Sequence, residues 1–220
     1  MELRDITFDQ RFTLKILEDY AFKDVEAKPR TVTVKPVLFI PKDLIPYTYQ
    51  AGEKENVKKG LKFIQSWFLS KTGVTFNFSD PVFFEGKKNL VEYETNPTSY
   101  DQSRQAALLR AEISQEISVS QKEYYLVFLY GKESVYWGQF FDIAVVGQIA
   151  IDGLRQDQSY DTQRYAAMGM IAHELGHVFG GLVDLPAGTG SMMSFVDTFI
   201  SFPNVDFTEG EKQALRKHMN

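Results

Sequence analysis

The stretch DTQRYAAMGMIAHELGHVFGGLVD, residues 161–184, carries more information about the fold than any other part of the sequence. Its apolar pattern predicts a helix that Asp161 caps, that runs to about Val178 and that a pair of glycines terminates. The second half of this helix contains two histidines four residues apart, His173 and His177. Since side chains four apart lie one above the other on a helix, both imidazoles are expected on the same face.

Strand-like and helical segments alternate along the rest of the chain. Strands are predicted at residues 31–40, 74–78, 82–84, 124–130 and 143–151, and helices at 53–72 and 103–117. Residues 3–17 predict a further half-buried strand and residues 18–30 a connector, while a capping box at 208–211 predicts a short C-terminal helix. This order predicts an α/β or α+β fold, a mixed sheet with helices packed on it.

Size and composition exclude several classes of protein. A chain of 220 residues and 25.2 kDa is expected to form one domain, and we expect a monomer. A net charge of −5 and a pI near 5.3 argue against a nucleic-acid partner. The chain has no cysteine, which excludes disulfides and thiolate metal ligands, and it has no apolar run long enough for a membrane span.

The residues His173 to His177 read HELGH and match the HExxH pattern of zinc hydrolases. Two imidazoles one helical turn apart can bind one metal ion together. Glu174 lies too far round the helix to complete that pair, but its carboxylate is suited to act as a general base toward water. Zinc lowers the pKa of such a water and polarises a carbonyl, so hydrolysis needs no covalent intermediate. Two of the three histidines in the chain belong to this motif, which argues against a chance match.

A zinc site needs a third protein ligand, and the sequence offers several candidates. Asp184 is the nearest after His177, and the glycines between them let the backbone turn back toward the helix. His218 lies near the end of the predicted C-terminal helix. Glu209 and Glu211 would give the glutamate-ligated site of thermolysin-like enzymes, although they also suit the first turn of that helix. We favour Asp184 as the third ligand.

These residues resemble the signature of the metzincin zinc endopeptidases, HExxHxxGxxH with Asp allowed in the last place, followed by a methionine turn. With Gly181 as the family glycine, the spacing to Asp184 matches, and one extra residue lies between His177 and that glycine. The resemblance implies that His173, His177 and Asp184 hold one catalytic Zn²⁺ ion and that Glu174 is the general base.

The sequence GSMMS at residues 190–194 resembles the methionine turn of the same family. In the family, a methionine thioether packs beneath the metal without binding it. Met192 and Met193 are both candidates for this structural role, and we favour Met193.

The resemblance also implies a division of the chain. Residues 31–220 would form the catalytic domain, with an upper subdomain at 31–180 and a lower subdomain at 181–220. The brevity of the lower subdomain is similar to the matrix-metalloproteinase and snapalysin-like branches. Residues 1–30 have no clear counterpart in the family and are interpreted as an N-terminal extension or an edge strand.

In metzincins, substrate binds as an extended strand along the edge of the sheet above the metal. The segment GQIAID at residues 147–152 is our candidate for that edge, with Gly147, Gln148, Ile149 and Ala150 as substrate-binding residues. A buried strand with no substrate role is the alternative. Residues 195–202 are aromatic and aliphatic, and by the same resemblance they would line the specificity pocket and favour an apolar substrate side chain.

The sequence therefore predicts a zinc-dependent endopeptidase that acts on protein or peptide substrates. One alternative is a peptidase with a downstream glutamate as third ligand, and the other is a zinc-containing binding module without turnover. The N-terminal residues lack an apolar signal-peptide core, so localisation stays open. Because most metzincins are secreted, a trimmed export signal is favoured over a cytoplasmic location.

Overall fold

The computed structural model describes residues 32–46, 52–93, 99–131, 137–140, 142–155 and 161–220. The strand predicted at 3–17 and the connector predicted at 18–30 lie outside these residues. The described residues form an α/β fold, with one six-stranded sheet and seven α-helices, which confirms the predicted fold class. None of the helices in these ranges is long and apolar enough to cross a membrane.

The sheet is parallel except for the strand at one end. Its strands are β1 (Thr33–Ile40), β2 (Asn77–Phe78), β3 (Val82–Glu85), β4 (Glu123–Leu129), β5 (Trp137–Phe140) and β6 (Ile143–Val146). The order is β2-β1-β4-β6-β5. Strand β3 lies on the same side of β1 as β2 and pairs with the second half of β1, residues 37–40. Only β5 runs antiparallel to its neighbour, β6. Within the described residues, β5 is therefore the terminal strand at this end of the sheet.

Helices cover both faces of the sheet. They are α1 (Glu53–Thr72), α2 (Leu90–Tyr93), α3 (Ser99–Ile113), α4 (Gln148–Leu154), α5 (Asp161–Gly180), α6 (Phe195–Ser201) and α7 (Glu209–Met219). Alternate residues of β4 enter two separate cores, because successive side chains of a strand point to opposite faces. Leu126 and Phe128 join the core that contains α1 and α5, whereas Val127 and Leu129 pack with α3. This double burial explains the continuous apolar sequence of β4.

Several elements begin and end close to where the sequence predicts them. Helix α1 has the predicted bounds and ends at Gly73, whose φ of 77° is a left-handed conformation suited to glycine. Strands β1 and β4 lie where they are predicted, and they pair in parallel at the centre of the sheet. The predicted capping box is also confirmed, since Thr208 and Glu211 exchange hydrogen bonds at the start of α7.

The strand predicted at residues 143–151 is wrong beyond Val146. Strand β6 ends there, Gly147 caps a helix, and α4 follows directly. Ala150, Ile151 and Leu154 are buried at helical spacing. A short apolar run such as AVVGQIAI satisfies both periodicities, so its pattern alone does not separate strand from helix. The second predicted helix is also displaced, from residues 103–117 to Ser99–Ile113.

The segment that follows α5 packs into the same core as the sheet and α1. Trp67 of α1 is fully buried, and its indole N–H donates a hydrogen bond of 3.0 Å to the carbonyl of Pro203. Its ring lies 5.1 Å from the ring of Phe202 and 5.5 Å from that of Phe207. These contacts fix the C-terminal segment beneath α5, which is the helix that carries the histidine pair.

Candidate metal centre

Helix α5 brings the two motif histidines together as the sequence predicts. His173 and His177 are buried, and their Nε2 atoms lie 3.1 Å apart. The two rings meet edge to face with their centroids 4.7 Å apart. The paired ring nitrogens face a common point, as bidentate binding of one ion requires.

The opposite nitrogen of each imidazole is held by a backbone carbonyl. His173 Nδ1 lies 2.9 Å from the carbonyl oxygen of Met192, and His177 Nδ1 lies 2.7 Å from that of Leu182. A carbonyl oxygen can only accept a hydrogen bond, so each Nδ1 carries a proton and donates it. This arrangement leaves each Nε2 available as a ligand and fixes the orientation of both rings.

Asp184 returns to this point after the helix ends. Gly181 adopts a left-handed conformation with φ of 59°, and its N–H donates to the carbonyl of His177. The turn brings Asp184 Oδ1 to 3.0 Å from His173 Nε2 and 3.2 Å from His177 Nε2. When the imidazoles are protonated at both nitrogens, their Nε2–H groups donate to Asp184 and hold the pKa of its carboxyl well below its ordinary value.

The three side chains fit the requirements of a zinc ion. Among the described residues, His173, His177 and Asp184 are the one group of at least three His, Cys, Asp or Glu side chains that could hold a metal. Ligand atoms placed about 2.0–2.1 Å from a tetrahedral zinc ion are about 3.4 Å apart, close to the three separations in this group. Two imidazoles and one carboxylate are also a donor set that zinc accepts.

Glu174 is buried next to this group but is not a member of it. Its exposed fraction is 2%, and burial raises its pKa to about 7 against the opposing effect of the two neighbouring histidines. In contrast, 67% of the Asp184 side chain is exposed, so the group opens to solvent on the aspartate side.

The other predicted ligand candidates have different partners. Glu211 accepts hydrogen bonds from the Ser191 hydroxyl, at 2.8 and 3.0 Å, and from the backbone of Thr208. Glu209 forms an ion pair with Lys212. The imidazole of His218 contacts the hydroxyl of Tyr124. None of Glu209, Glu211 and His218 joins the group formed by the histidine pair and Asp184.

The two methionines occupy distinct positions below the histidines. Both are fully buried. Met193 places its sulfur against Gly176, the helix residue that precedes His177. Met192 contributes its carbonyl oxygen, which accepts the hydrogen bond from His173. The side chain of Met193 therefore supports the helix, while the backbone of Met192 orients a ligand candidate.

The segment chosen as the substrate edge has another structure. Gly147 is the cap of α4 and Gln148, Ile149 and Ala150 form its first turn, so the prediction that they form an edge strand is wrong. Gln148 instead uses its side chain within the protein, accepting from the backbone of Gly131 and donating to Asp152. The predicted pocket wall is largely helical, and Val196 and Ile200 are exposed on α6.

Sequence reasoning missed the groups that orient the imidazoles. The carbonyls of Leu182 and Met192 do this, and Thr198 donates a hydrogen bond to the second of them. Backbone acceptors leave no signature in the sequence, because every residue carries a carbonyl. The position of Thr198 on a helix after the methionines was the one available signal, and helix α6 itself was not predicted.

Comparisons with known proteins support the fold. Similar solved structures include wild-type OgpA from Akkermansia muciniphila, with a TM-score of 0.64 and 14% sequence identity. Catalytically inactive OgpA, in complex with the O-glycopeptide glycodrosocin as substrate, has a TM-score of 0.66 and 14% identity. In both, the similarity covers 90% of this chain and 63% of OgpA, so the chain spans less than two thirds of that protein.

Archaemetzincin from Methanopyrus kandleri shows a weaker likeness, with a TM-score of 0.48 and 15% identity over 88% of this chain and 98% of that one. No protein-family model matches the sequence, and no curated protein sequence is significantly similar to it. At these levels of identity the likeness to OgpA establishes a common fold.

Proposed function

We propose that this chain is a zinc-dependent peptidase of the metzincin type, which hydrolyses peptide bonds in protein or peptide substrates. The observation that carries this proposal is the convergence of His173 Nε2, His177 Nε2 and Asp184 Oδ1, with both Nδ1 atoms held by carbonyls. Three protein ligands leave one position of a tetrahedral zinc ion open, as in catalytic zinc sites, whereas structural sites use four.

Glu174 is the general base in this proposal. Bound zinc supplies a Lewis acid that polarises the scissile carbonyl and makes water acidic. A carboxylate oxygen of Glu174 takes the proton from the attacking water and returns it to the nitrogen of the leaving amine. The burial of Glu174 shields its carboxylate from bulk water beside the ligand group.

The substrate has a defined place to bind in this proposal. Strand β5 is the terminal strand of the sheet in the described residues and contacts α5, the helix of the histidine pair. An extended peptide can add to such an edge through backbone hydrogen bonds. We therefore place the substrate backbone along β5 instead of residues 147–150. That OgpA was crystallised with an O-glycopeptide substrate supports a peptide-like ligand for this fold.

A peptide library tests the proposal when three zinc-loaded proteins are compared. Glu174→Gln keeps the shape of the side chain but cannot accept a proton, so we expect it to retain zinc and to lose about 10²–10⁴-fold in cleavage rate. Glu116→Gln, the same change at an exposed glutamate, is expected to cleave like the unmodified protein. Equal cleavage by Glu174→Gln would contradict the assigned base. If the unmodified protein holds zinc but cleaves nothing, the result would contradict catalysis by this form of the chain and leave a latent enzyme or a zinc-containing binding module.

A further inference from the structure

We propose that Thr198 is a positioning residue for His173, acting through the carbonyl of Met192. This inference rests on the proposed function, because it concerns how the chain presents one of the three zinc ligands. Thr198 does not touch the metal ligands directly. It donates its hydroxyl hydrogen to the same carbonyl oxygen that accepts the hydrogen bond from His173 Nδ1.

The three groups form a continuous chain of contacts. Thr198 Oγ1 lies 2.6 Å from the carbonyl oxygen of Met192, and that oxygen lies 2.9 Å from His173 Nδ1. His173, Met192 and Thr198 each have an exposed fraction of 1% or less. Because no bulk water reaches this carbonyl, its direction depends on its protein partners, and a change in that direction is passed on to the imidazole.

Thr198 is itself held in place on two sides. Its backbone N–H donates to the carbonyl of Ser194 at the start of α6. Its methyl group packs against Gly169 of α5, where an added Cβ would lie 3.1 Å from it. These two contacts hold the side chain of Thr198 with its hydroxyl toward the carbonyl of Met192. A carbonyl oxygen has two lone pairs, and here His173 uses one and Thr198 the other.

The backbone on either side of the Met192 carbonyl is also held by hydrogen bonds. The N–H of Met192 donates to the carbonyl of Asp206, and the N–H of Met193 donates to the hydroxyl of Ser191. The plane of the peptide that carries the Met192 oxygen is therefore set by Ser191 on one side and by Thr198 on the other. Loss of the group that accepts the second N–H of a ligand histidine typically changes metal affinity by about 10–100-fold. Thr198 acts on that group, the Met192 carbonyl, from one contact further out, so its removal should have a smaller effect.

A pair of variants isolates the hydroxyl group. Thr198→Ser and Thr198→Ala both lack the methyl group near Gly169, and they differ only in the hydroxyl. Thr75 provides the matched control. It is also buried, and its hydroxyl also donates to a backbone carbonyl, that of Gln65 at 2.8 Å. This contact joins α1 to the segment before β2. Zinc affinity is measured for Thr198→Ser, Thr198→Ala, Thr75→Ser and Thr75→Ala by competition with a chromophoric chelator. Thermal unfolding of the metal-free proteins is measured in parallel.

We expect Thr198→Ala to bind zinc up to about 10-fold more weakly than Thr198→Ser, the low end of the range for a direct partner of a ligand histidine. Thr198→Ser should stay close to the unmodified protein. The two Thr75 variants should differ in thermal unfolding but share the zinc affinity of the unmodified protein. Equal zinc affinity of Thr198→Ala and Thr198→Ser would overturn the inference, as would an equal loss in the Thr75 pair. If the unmodified protein binds no zinc, the proposed function fails together with this inference.

Thr198→Val is the second variant if Thr198→Ala does not fold. Valine has nearly the same shape as threonine and replaces the hydroxyl with a methyl group. That methyl group would lie where the hydroxyl oxygen now lies, 2.6 Å from the carbonyl oxygen of Met192. That separation is too short for a methyl group, so the carbonyl must turn away. We expect its zinc affinity to fall at least as far as that of Thr198→Ala, and an unchanged affinity would overturn the inference.

Discussion

The sulfur of Met193 lies 2.8 Å from the point that a Cβ atom on Gly176 would occupy. Gly176 stands between the two histidines of the motif, one residue before His177. The close approach brings the loop of the two methionines directly against the helix that carries the histidine pair. A larger residue at position 176 would force the buried Met193 side chain, or else the helix or the loop, to shift.

Gly176→Ala should therefore destabilise the protein. Forcing an extra methyl group into a packed interior typically costs about 1–3 kcal/mol of unfolding free energy, even though alanine favours a helix. Denaturant unfolding of the metal-free protein measures this loss. Gly210→Ala is the matched control, because Gly210 is also helical but an added Cβ there meets no atom within 4 Å. We expect that change to be neutral or stabilising.

A double variant shows whether Met193 causes the cost of Gly176→Ala. Truncation of the side chain in Met193→Ala opens the space that the new methyl group needs. Gly176→Ala should then cost less in the Met193→Ala background than in the unmodified protein. An identical cost in both backgrounds would show that the contact with Met193 is not the reason.

Asp184→Ala should abolish tight zinc binding. The change removes one of the three converging ligand atoms, so the loss should exceed the roughly 10–100-fold that follows removal of an outer partner. Glu209→Ala removes a carboxylate that pairs with Lys212 outside the ligand group, and its zinc affinity should be unchanged. Equilibrium dialysis with metal analysis compares the two. A loss confined to Glu209→Ala would instead support the glutamate-ligated alternative.

Glu211→Ala should lower stability through the C-terminal helix. The Glu211 carboxylate completes the capping box with Thr208 and accepts the hydroxyl of the buried Ser191, so its removal leaves that hydroxyl without its carboxylate partner. We expect a loss of about 1–3 kcal/mol in denaturant unfolding. Thr208→Ala removes the other half of the box, and the two effects should be less than additive. Full additivity would argue that the two residues act independently.

Glu53→Ala should be destabilising, whereas Glu55→Ala should not. The Glu53 carboxylate is buried, accepts a hydrogen bond of 2.8 Å from Tyr130 and pairs with Arg155. Its removal leaves the Tyr130 hydroxyl without this acceptor, while Arg155 keeps its ion pair with Asp152 at 2.8 Å, so we expect a loss of about 1–3 kcal/mol. Glu55 occupies the same helix turn but is exposed, so its loss should change unfolding free energy by less than about 0.5 kcal/mol. Similar losses in the two variants would contradict this assignment.

The parts of the fold that could be predicted are those with a strong local signal. Helix α1 carries a long apolar stripe and a terminal glycine, and β4 is a continuous apolar run, so both were predicted nearly to the residue. The segment from Ile143 to Leu154 was predicted poorly, because its apolar residues satisfy strand and helix periodicity alike. Tertiary packing of Ala150, Ile151 and Leu154 selects the helix.

In the candidate site, too, the features with a local sequence signal could be predicted and those that depend on tertiary packing could not. The spacing of His173 and His177 on one helix is a local property, and the structure brings their ring nitrogens together as predicted. Asp184 also converges on them, although its spacing from His177 exceeds that of the family by one residue, because the left-handed turn at Gly181 accommodates the insertion. The contact of Thr198 with Met192 depends on how α6 packs against α5, which no local pattern reports.

The most direct test is to locate the metal in crystals of the zinc-loaded protein by anomalous scattering at the zinc absorption edge. The account predicts one strong peak about 2.0–2.2 Å from His173 Nε2, His177 Nε2 and a carboxylate oxygen of Asp184, with Glu174 close by but not bound to it. A peak coordinated by other residues, or a fourth protein ligand that closes the open position, would contradict it.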